Sequence, residues 1–443
     1  MTCSIRENAE SKIWNKLHEL KGLKKRGKIS QIGVLGCMAE RLKTQLLEKE
    51  KCVDVVAGPD TYRDLPRLLA INKLTGQNAV NVMLSLSETY ENIMPTMTTS
   101  SMSAFVSIMR GCENMCSYCI VPFTRGRERS RPIESILDEV RSLSLAGIKE
   151  VTLLGQNVNS YRDLTKDNQS QTTLATGFKT IYKPKSGGLT FDVLLDEVAK
   201  VDPEIRIRFT SPHPKDFPDQ VLNVINKHNN IAKCIHLPAQ SGNNNILQRM
   251  RRGYTREAYL DLVNRIREII PGCALSSDFI SGFCGETEEE HHETLDLIRR
   301  VRYNLIYMFH YSMREKTHAF HTMKDDVPLQ VKIARLEQVS SLYREIALEL
   351  NKSLIGKTQL ILIEGTSKRS ENDLAGRNDA NVKVIIPKTS IPQIGAMNNS
   401  DLKPILVGDY VAVRITNCNS QTLLGEPLFH TSISNFHDNE LND

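Results

Sequence analysis

Three cysteines stand within eight residues of one another in Gly111-Cys112-Glu113-Asn114-Met115-Cys116-Ser117-Tyr118-Cys119. The spacing is C-x3-C-x2-C, and three thiolates so spaced can fold around one metal centre. A structural zinc site takes four protein ligands. No histidine lies between residues 104 and 212, and no fourth cysteine is adjacent. Iron–sulfur clusters are held by cysteine thiolates, and three ligands leave one iron open to a substrate or cofactor. Other residues carry two readings each. Gln156 and Asn157 end an apolar run, as cofactor or substrate contacts or as a polar turn. His213, between Pro212 and Pro214, reads as an active-site group or a turn histidine. Asp278 reads as a cofactor contact or a structural hydrogen bond. The adjacent His291 and His292 do not share a helix face and read as solvated. Arg125, Arg127, Arg129 and Arg131, with Arg249, Arg251, Arg252 and Arg256, read as contacts to phosphates, which would position a nucleic acid rather than read its bases.

Elements must hold these groups in place. An apolar stripe of Ile5, Trp14, Leu17, Leu20 and Leu23 predicts a helix over 5–26. A buried strand over 31–37, a helix over 39–50 and a short strand over 53–57 follow, closing a first α/β domain near residue 75. Residues 76–103 are polar and read as a linker with one strand at 79–84. From 104 the alternation becomes regular. Strands are expected at 104–109, 150–154, 205–210, 233–237, 274–280 and 305–311, with helices at 133–145, 189–200, 216–227, 255–269 and 287–302. Six strands alternating with helices argue for a parallel α/β sheet or barrel. Residues 162–188 read as a surface insertion, and a charged helix over about 327–352 closes the domain. Residues 356–435 carry short alternating runs at 359–364, 382–386 and 410–415, which predict a small all-β barrel or sandwich.

The chain has 443 residues, with 57 Lys/Arg against 52 Asp/Glu. Hydrophobic residues are 40% and charged residues 25%, which argues against disorder throughout. No stretch has the uncharged apolar length of a membrane-spanning helix, so no membrane role is expected. The first residues lack the apolar core of a signal peptide. Ten cysteines in such a chain suggest metal or redox chemistry in a reducing compartment. Charge is uneven: net +5 over residues 1–30, +3 over 122–132 and −2 over 356–443. The basic stretches suggest a polyanion, although for the first alone a solvated helix face is the better explanation.

The cysteine triad, with Tyr118 before its last member, resembles the radical S-adenosylmethionine (SAM) superfamily. The segments 112–122, LGQNVNSY at 154–161, RFTSPHP at 208–214, HLPAQSG at 236–242, MRRGYT at 250–255 and DFISGFCGET at 278–287 are similar to those of MiaB-type tRNA methylthiotransferases. The tail resembles their TRAM domain, an RNA-binding module. Cys284, Lys316 and the 162–188 insertion resemble the eukaryotic, cyclin-dependent-kinase regulatory-subunit-associated branch, which is mitochondrial.

The resemblance implies a partial (β/α)6 TIM-like barrel over 104–352, preceded by a first α/β domain over 1–75 and followed by a TRAM-like β-barrel over 356–435. It implies that Cys112, Cys116 and Cys119 bind a [4Fe–4S] cluster whose open iron takes SAM, with Gln156, Asn157, Gln240 and Asp278 as cofactor contacts. The family carries a second [4Fe–4S] cluster on three cysteines, of which Cys3 in Thr2-Cys3-Ser4 and Cys37 in Gly36-Cys37-Met38 match. The first of the three motifs has no match, so the resemblance implies an incomplete first domain and an incomplete second cluster. Cys52 reads as an ordinary small residue. The implied reaction is methylthiolation of carbon 2 of N6-isopentenyladenosine beside the anticodon. Its partners would be tRNA, SAM and a reductant electron-transfer protein, with a kinase regulatory subunit named by the branch. The alternatives are a catalytically impaired RNA-binding or kinase-regulatory protein, a zinc protein, or a methylthiotransferase for threonylcarbamoyladenosine.

Overall fold

The computed structural model describes residues 2, 7–91, 93, 101–166, 174–175, 177–179, 187–394 and 402–440. They form two compact units. The smaller joins residues 1–90 to two later segments, 109–129 and 312–324. The larger holds 91–108, 130–311 and 325–443. The cysteine triad therefore belongs to the smaller unit. Most of the 162–188 insertion lies outside the described residues.

In the smaller unit three short strands, Gly33–Leu35, Val55–Ala57 and Ala79–Asn81, pair in parallel in chain order. Branched residues suit such strands, and Val55, Val56 and Ala57 are fully buried. The helix Glu7–Lys25 lays Leu17, with Ile13, Trp14 and Leu20, against Ile32, Val34, Met38 and Val56. A second helix, Leu65–Thr75, covers the other face through Leu68 and stops at Gly76, whose φ of 70° ends the helical path. The strand expected over 79–84 ends at Asn81, whose carbonyl accepts from Gly58 N and Thr61 Oγ1.

In the larger unit the strands Ser103–Ser107, Glu150–Leu154 and Arg206–Phe209 form one parallel sheet. The strands Cys234–His236, Ala274–Ser281 and Leu305–His310 form another. A bridge from Ile207 to Ile231 joins the two into six parallel strands in chain order. This is the β/α succession expected. The helices Ile133–Leu145, Phe191–Val201, Asp219–Lys227, Arg256–Ile269 and Glu288–Val301 lie within two or three residues of their expected spans. One sheet face is dry: Val106, Leu153, Ile207, Ile235, Leu275 and Phe279 are all buried. Alternation puts their neighbours on the opposite face.

The tail is a closed antiparallel-rich barrel of Thr358–Thr366, Asp373–Arg377, Lys383–Pro387, Tyr410–Cys418 and Thr422–Thr431. Two of these strands, Asp373–Arg377 and Thr422–Thr431, were not expected. Neither was the terminal helix Ile433–Glu440. The barrel docks on the N-terminal ends of the parallel strands. Arg206 donates to the Arg377 and Leu360 carbonyls, Arg208 to those of Asn378 and Asp379, and Tyr410 Oη to Lys149 O. No described helix is long and apolar enough to cross a membrane.

Candidate functional site

The triad loop of the smaller unit is shaped by its backbone. Gly111 has φ 78°, and a Cβ there would lie 2.0 Å from Arg127 O, so only glycine fits. Cys112 N donates to Gly126 O at 3.2 Å and Cys119 N to Cys116 O at 2.9 Å. Ala319 N donates to Ser117 O, which pins the loop to a distant segment of the same unit. Cys112 and Cys116 are buried and Cys119 is half-buried. None of the nine described cysteines forms a disulfide. Burial pushes the Cys112 thiol well up, and Glu128, Cys119 and Cys116 push it further. Three thiolates held this close repel one another, and a cationic iron–sulfur centre relieves that repulsion. Among the described residues no three metal-binding side chains converge on a single ion. A cluster does not need them to, because each of its cysteines binds a separate iron. The donor set thus suits a cluster better than zinc.

Cys37 opens the short helix Cys37–Leu42 in the same unit. Thr2 bridges Gly36 in parallel, so the residues before Cys3 and Cys37 lie side by side. Cys3 itself lies outside the described residues. Arg125 Nε donates to Cys37 Sγ at 3.1 Å. Nearby Glu40 is 2% exposed, its Oε2 has no hydrogen-bond partner, and burial pushes its carboxyl up to about 7. The Tyr62 hydroxyl is likewise buried without a partner. Cys52 packs in the helix–sheet core with its thiol pushed up by burial, in keeping with an ordinary small residue.

In the larger unit the sheet face away from the helices carries a polar group. His236 Nδ1 sits 3.0 Å from Ser276 Oγ, and its Nε2 sits 3.4 Å from Asp278 Oδ2. The Tyr307 ring meets His236 edge-on at 5.8 Å. Gln240, at φ 71°, donates its N–H to Asp278 O and accepts from Ile280 N, which brings Gln240 and Asp278 together. His236 and Tyr307 are the residues that sequence reasoning missed. Their signal was register: His236 pairs with Ser276 and Tyr307 with Asp278.

Asn157 is turned inward instead. It is 1% exposed and donates to Asp216 Oδ2 at 3.3 Å. Asn159 and His213 close the same turn, with His213 N donating to Asn159 Oδ1 and Lys215 N to His213 Nδ1. Burial, then Arg252 and Lys215, hold His213 well below the usual histidine range, so it is a neutral turn residue. Gln156 sits half-buried beside this turn.

The arginines depart most from expectation. Arg129 is clamped by Asp60 and Arg131 by Glu139, all buried. Arg252 donates to Pro238 O inside the fold. Arg249 pairs with Glu290, and Arg256 with Asp296. Only Arg127 and Arg251 of the eight are exposed. The inward-turned side chains hold loops together. His291 also differs: it is buried, with Nε2 2.7 Å from Gln338 Oε1.

Residues 106–298 match the Radical SAM superfamily, 1–58 the uncharacterized protein family UPF0004, and 352–428 the TRAM domain. The chain is 60% identical over 442 residues to the mouse mitochondrial tRNA methylthiotransferase CDK5RAP1, covering 98% of this chain and 74% of the relative. It is 53% identical over 441 residues to a Caenorhabditis elegans CDK5RAP1-like protein, covering 98% and 78%. It is 48% identical over 427 residues to a tRNA-2-methylthio-N(6)-dimethylallyladenosine synthase of Chloroherpeton thalassium, covering 96% and 86%. Identity at this level over nearly the whole chain, on a β/α sheet followed by a small β-barrel, makes the chain a member of the radical SAM tRNA methylthiotransferases.

Proposed function

We propose that this chain converts N6-isopentenyladenosine in tRNA, the dimethylallyladenosine of its relatives' names, to the 2-methylthio derivative in mitochondria. The observation that carries this reading is the triad loop, which bears Cys112, Cys116 and Cys119 with no four-ligand metal site among the described residues. They hold a [4Fe–4S] cluster, and Cys37 with Cys3 contributes to a second. When bound, these centres and SAM would supply the radical that takes the carbon-2 hydrogen, the sulfur that takes its place and the methyl group on that sulfur.

The chain's own residues do the rest. Gly111 turns the loop that carries all three thiols. Asp278, held by His236, and Gln240 bind SAM on the open sheet face. Gln156 joins them at a strand end, and Asn157 fixes the turn that presents it. Arg127 and Arg251 are the exposed members of the two clusters, so backbone contacts to tRNA come from few arginines here. The TRAM barrel adds RNA contacts. Its net charge of −2 over residues 356–443 points to hydroxyl and aromatic contacts rather than a basic face. The adenosine is unstacked from the anticodon loop before reaction, and a reductant protein supplies electrons.

Anaerobic reconstitution with iron and sulfide tests the cysteine assignment. We expect about eight irons per chain, falling to about four in the Cys112/Cys116/Cys119 triple-alanine variant, so that Cys3 and Cys37 assemble the second cluster although one of its three motifs has no match. About four falling to none would remove the second cluster from the reading, and no iron in either would overturn it. Nucleoside analysis of tRNA bearing isopentenyladenosine or threonylcarbamoyladenosine, incubated with enzyme, SAM and reductant, tests the substrate. Methylthiolation of the second alone would overturn the assignment.

A further inference from the structure

Four arginines follow the triad, and three have evident tasks or face solvent. Arg129 and Arg131 pair with buried carboxylates, and Arg127 is exposed. Arg125 is different. Among the described residues it has no carboxylate partner, and its Nε–H meets the Cys37 sulfur at 3.1 Å, across 88 residues of sequence. A neutral thiol is a weak acceptor, whereas an ionised acceptor makes a short, charge-assisted bond. The contact is a side-chain hydrogen bond aimed at the sulfur itself. Arg125 is also held from behind. It is the last residue of the helix Val121–Arg125, and its carbonyl accepts from Arg129 Nη2 at 3.0 Å. Arg129 is in turn fixed by Asp60, which Arg110 grips at 2.9 Å. A cation whose backbone is anchored so firmly has little freedom to move off the sulfur.

We infer that Arg125 is a positioning residue of the second cluster: its guanidinium orients the Cys37 sulfur and raises the cluster's reduction potential. The inference rests on the assignment of Cys37 as a ligand of that cluster. Hydrogen bonds to ligand sulfurs and nearby charge set the potentials of iron–sulfur centres. A cation stabilises the more negative, reduced state. Arg125 lies six residues beyond Cys119, so the segment that carries the triad also carries the donor to the second site.

The test uses the Cys112/Cys116/Cys119 triple-alanine chain, reconstituted anaerobically, so that only the second cluster reports. Iron and sulfide counts and an electron-paramagnetic-resonance redox titration are compared with the same chain carrying Arg125→Met or Arg125→Lys. We expect Arg125→Met to keep its fold by circular dichroism. It should either lose most of its iron or titrate at a more negative potential, with Arg125→Lys between it and the parent. Arg125→Met with unchanged iron and unchanged potential overturns the inference alone. A parent that binds no iron overturns the cluster assignment on which it rests. Loss of iron together with unfolding gives Arg125 to the fold and overturns the positioning role.

Discussion

Single residues in the smaller unit do work that their types alone conceal. Gly111 exists for its φ of 78° and for the carbonyl that would meet a Cβ at 2.0 Å. Gly111→Ala is expected to abolish iron binding at the triad, read as the loss of about four irons on reconstitution, while iron at the second site remains. Asp60 is fully buried between Arg110 and Arg129. Asp60→Asn leaves two buried cations short of a counter-charge and should cost about 3–5 kcal/mol in denaturant unfolding. Glu40 gives a pH signature. Its folded carboxyl titrates at about 7, against 4.5 for an ordinary glutamate in water, so the folded chain keeps this proton longer than the unfolded chain. That contribution to stability falls as pH rises from about 4.5 to about 7 and is flat above. Glu40→Gln, which removes the charge, should raise the melting temperature at pH 8 and leave it unchanged at pH 4. The triad's spacing was legible because its cysteines are local in sequence. The tasks of the arginines were not, because Arg129 reaches Asp60 across 69 residues and nothing in its neighbours announces that.

Elements of regular period were read well, and short ones were not. The apolar stripes of Ile133–Leu145 and Arg256–Ile269 fixed those helices to within a residue. The strand Asp373–Arg377 escaped because Leu374, Ala375 and Gly376 show no alternation; its place comes from pairing with both neighbours in the barrel. The helix Ile433–Glu440 has little propensity of its own. It is held by Glu204, whose carboxylate accepts from Ile433 N at 2.7 Å and Ser434 N at 3.2 Å. Ile433 and Phe436 then pack on Leu360, Leu362 and Tyr410. A carboxylate at a helix N-terminus both caps it and opposes its dipole. Glu204→Ala should therefore cost about 1 kcal/mol, seen as a lower melting temperature with the parallel sheet intact.

At the scale of the larger unit, the β-barrel and the six-stranded sheet are one folding body. Arg206 is 2% exposed, lies 5.3 Å from the Tyr410 ring centre and donates to two barrel carbonyls. Lys233 N reaches Asp379 Oδ2 at 2.6 Å. Removing residues 354–443 would strip these partners from buried guanidinium groups at the strands' N-terminal ends. The shortened chain is expected to aggregate or to unfold at markedly lower temperature, whereas independent modules would leave the sheet's calorimetric transition unchanged. The barrel occupies the end of the sheet opposite the strand ends that present Gln156 and Gln240. RNA bound on both must therefore span the unit from one end to the other.

The sequence by itself determined the spacing of the cysteine triad, the period of nearly every helix and the succession of six parallel strands, because each depends on residues near one another in the chain. Tertiary structure decided which polar residues stand on the open sheet face and which face the fold. Asn157 and most of the arginines were drawn inward, since a buried amide or guanidinium must find a partner wherever the fold supplies one. His236 and Tyr307 joined Asp278 through strand register, which no single strand encodes. Arg125 found Cys37 because the cysteine loop and the first strands fold into the same unit, a proximity that only the three-dimensional chain path creates.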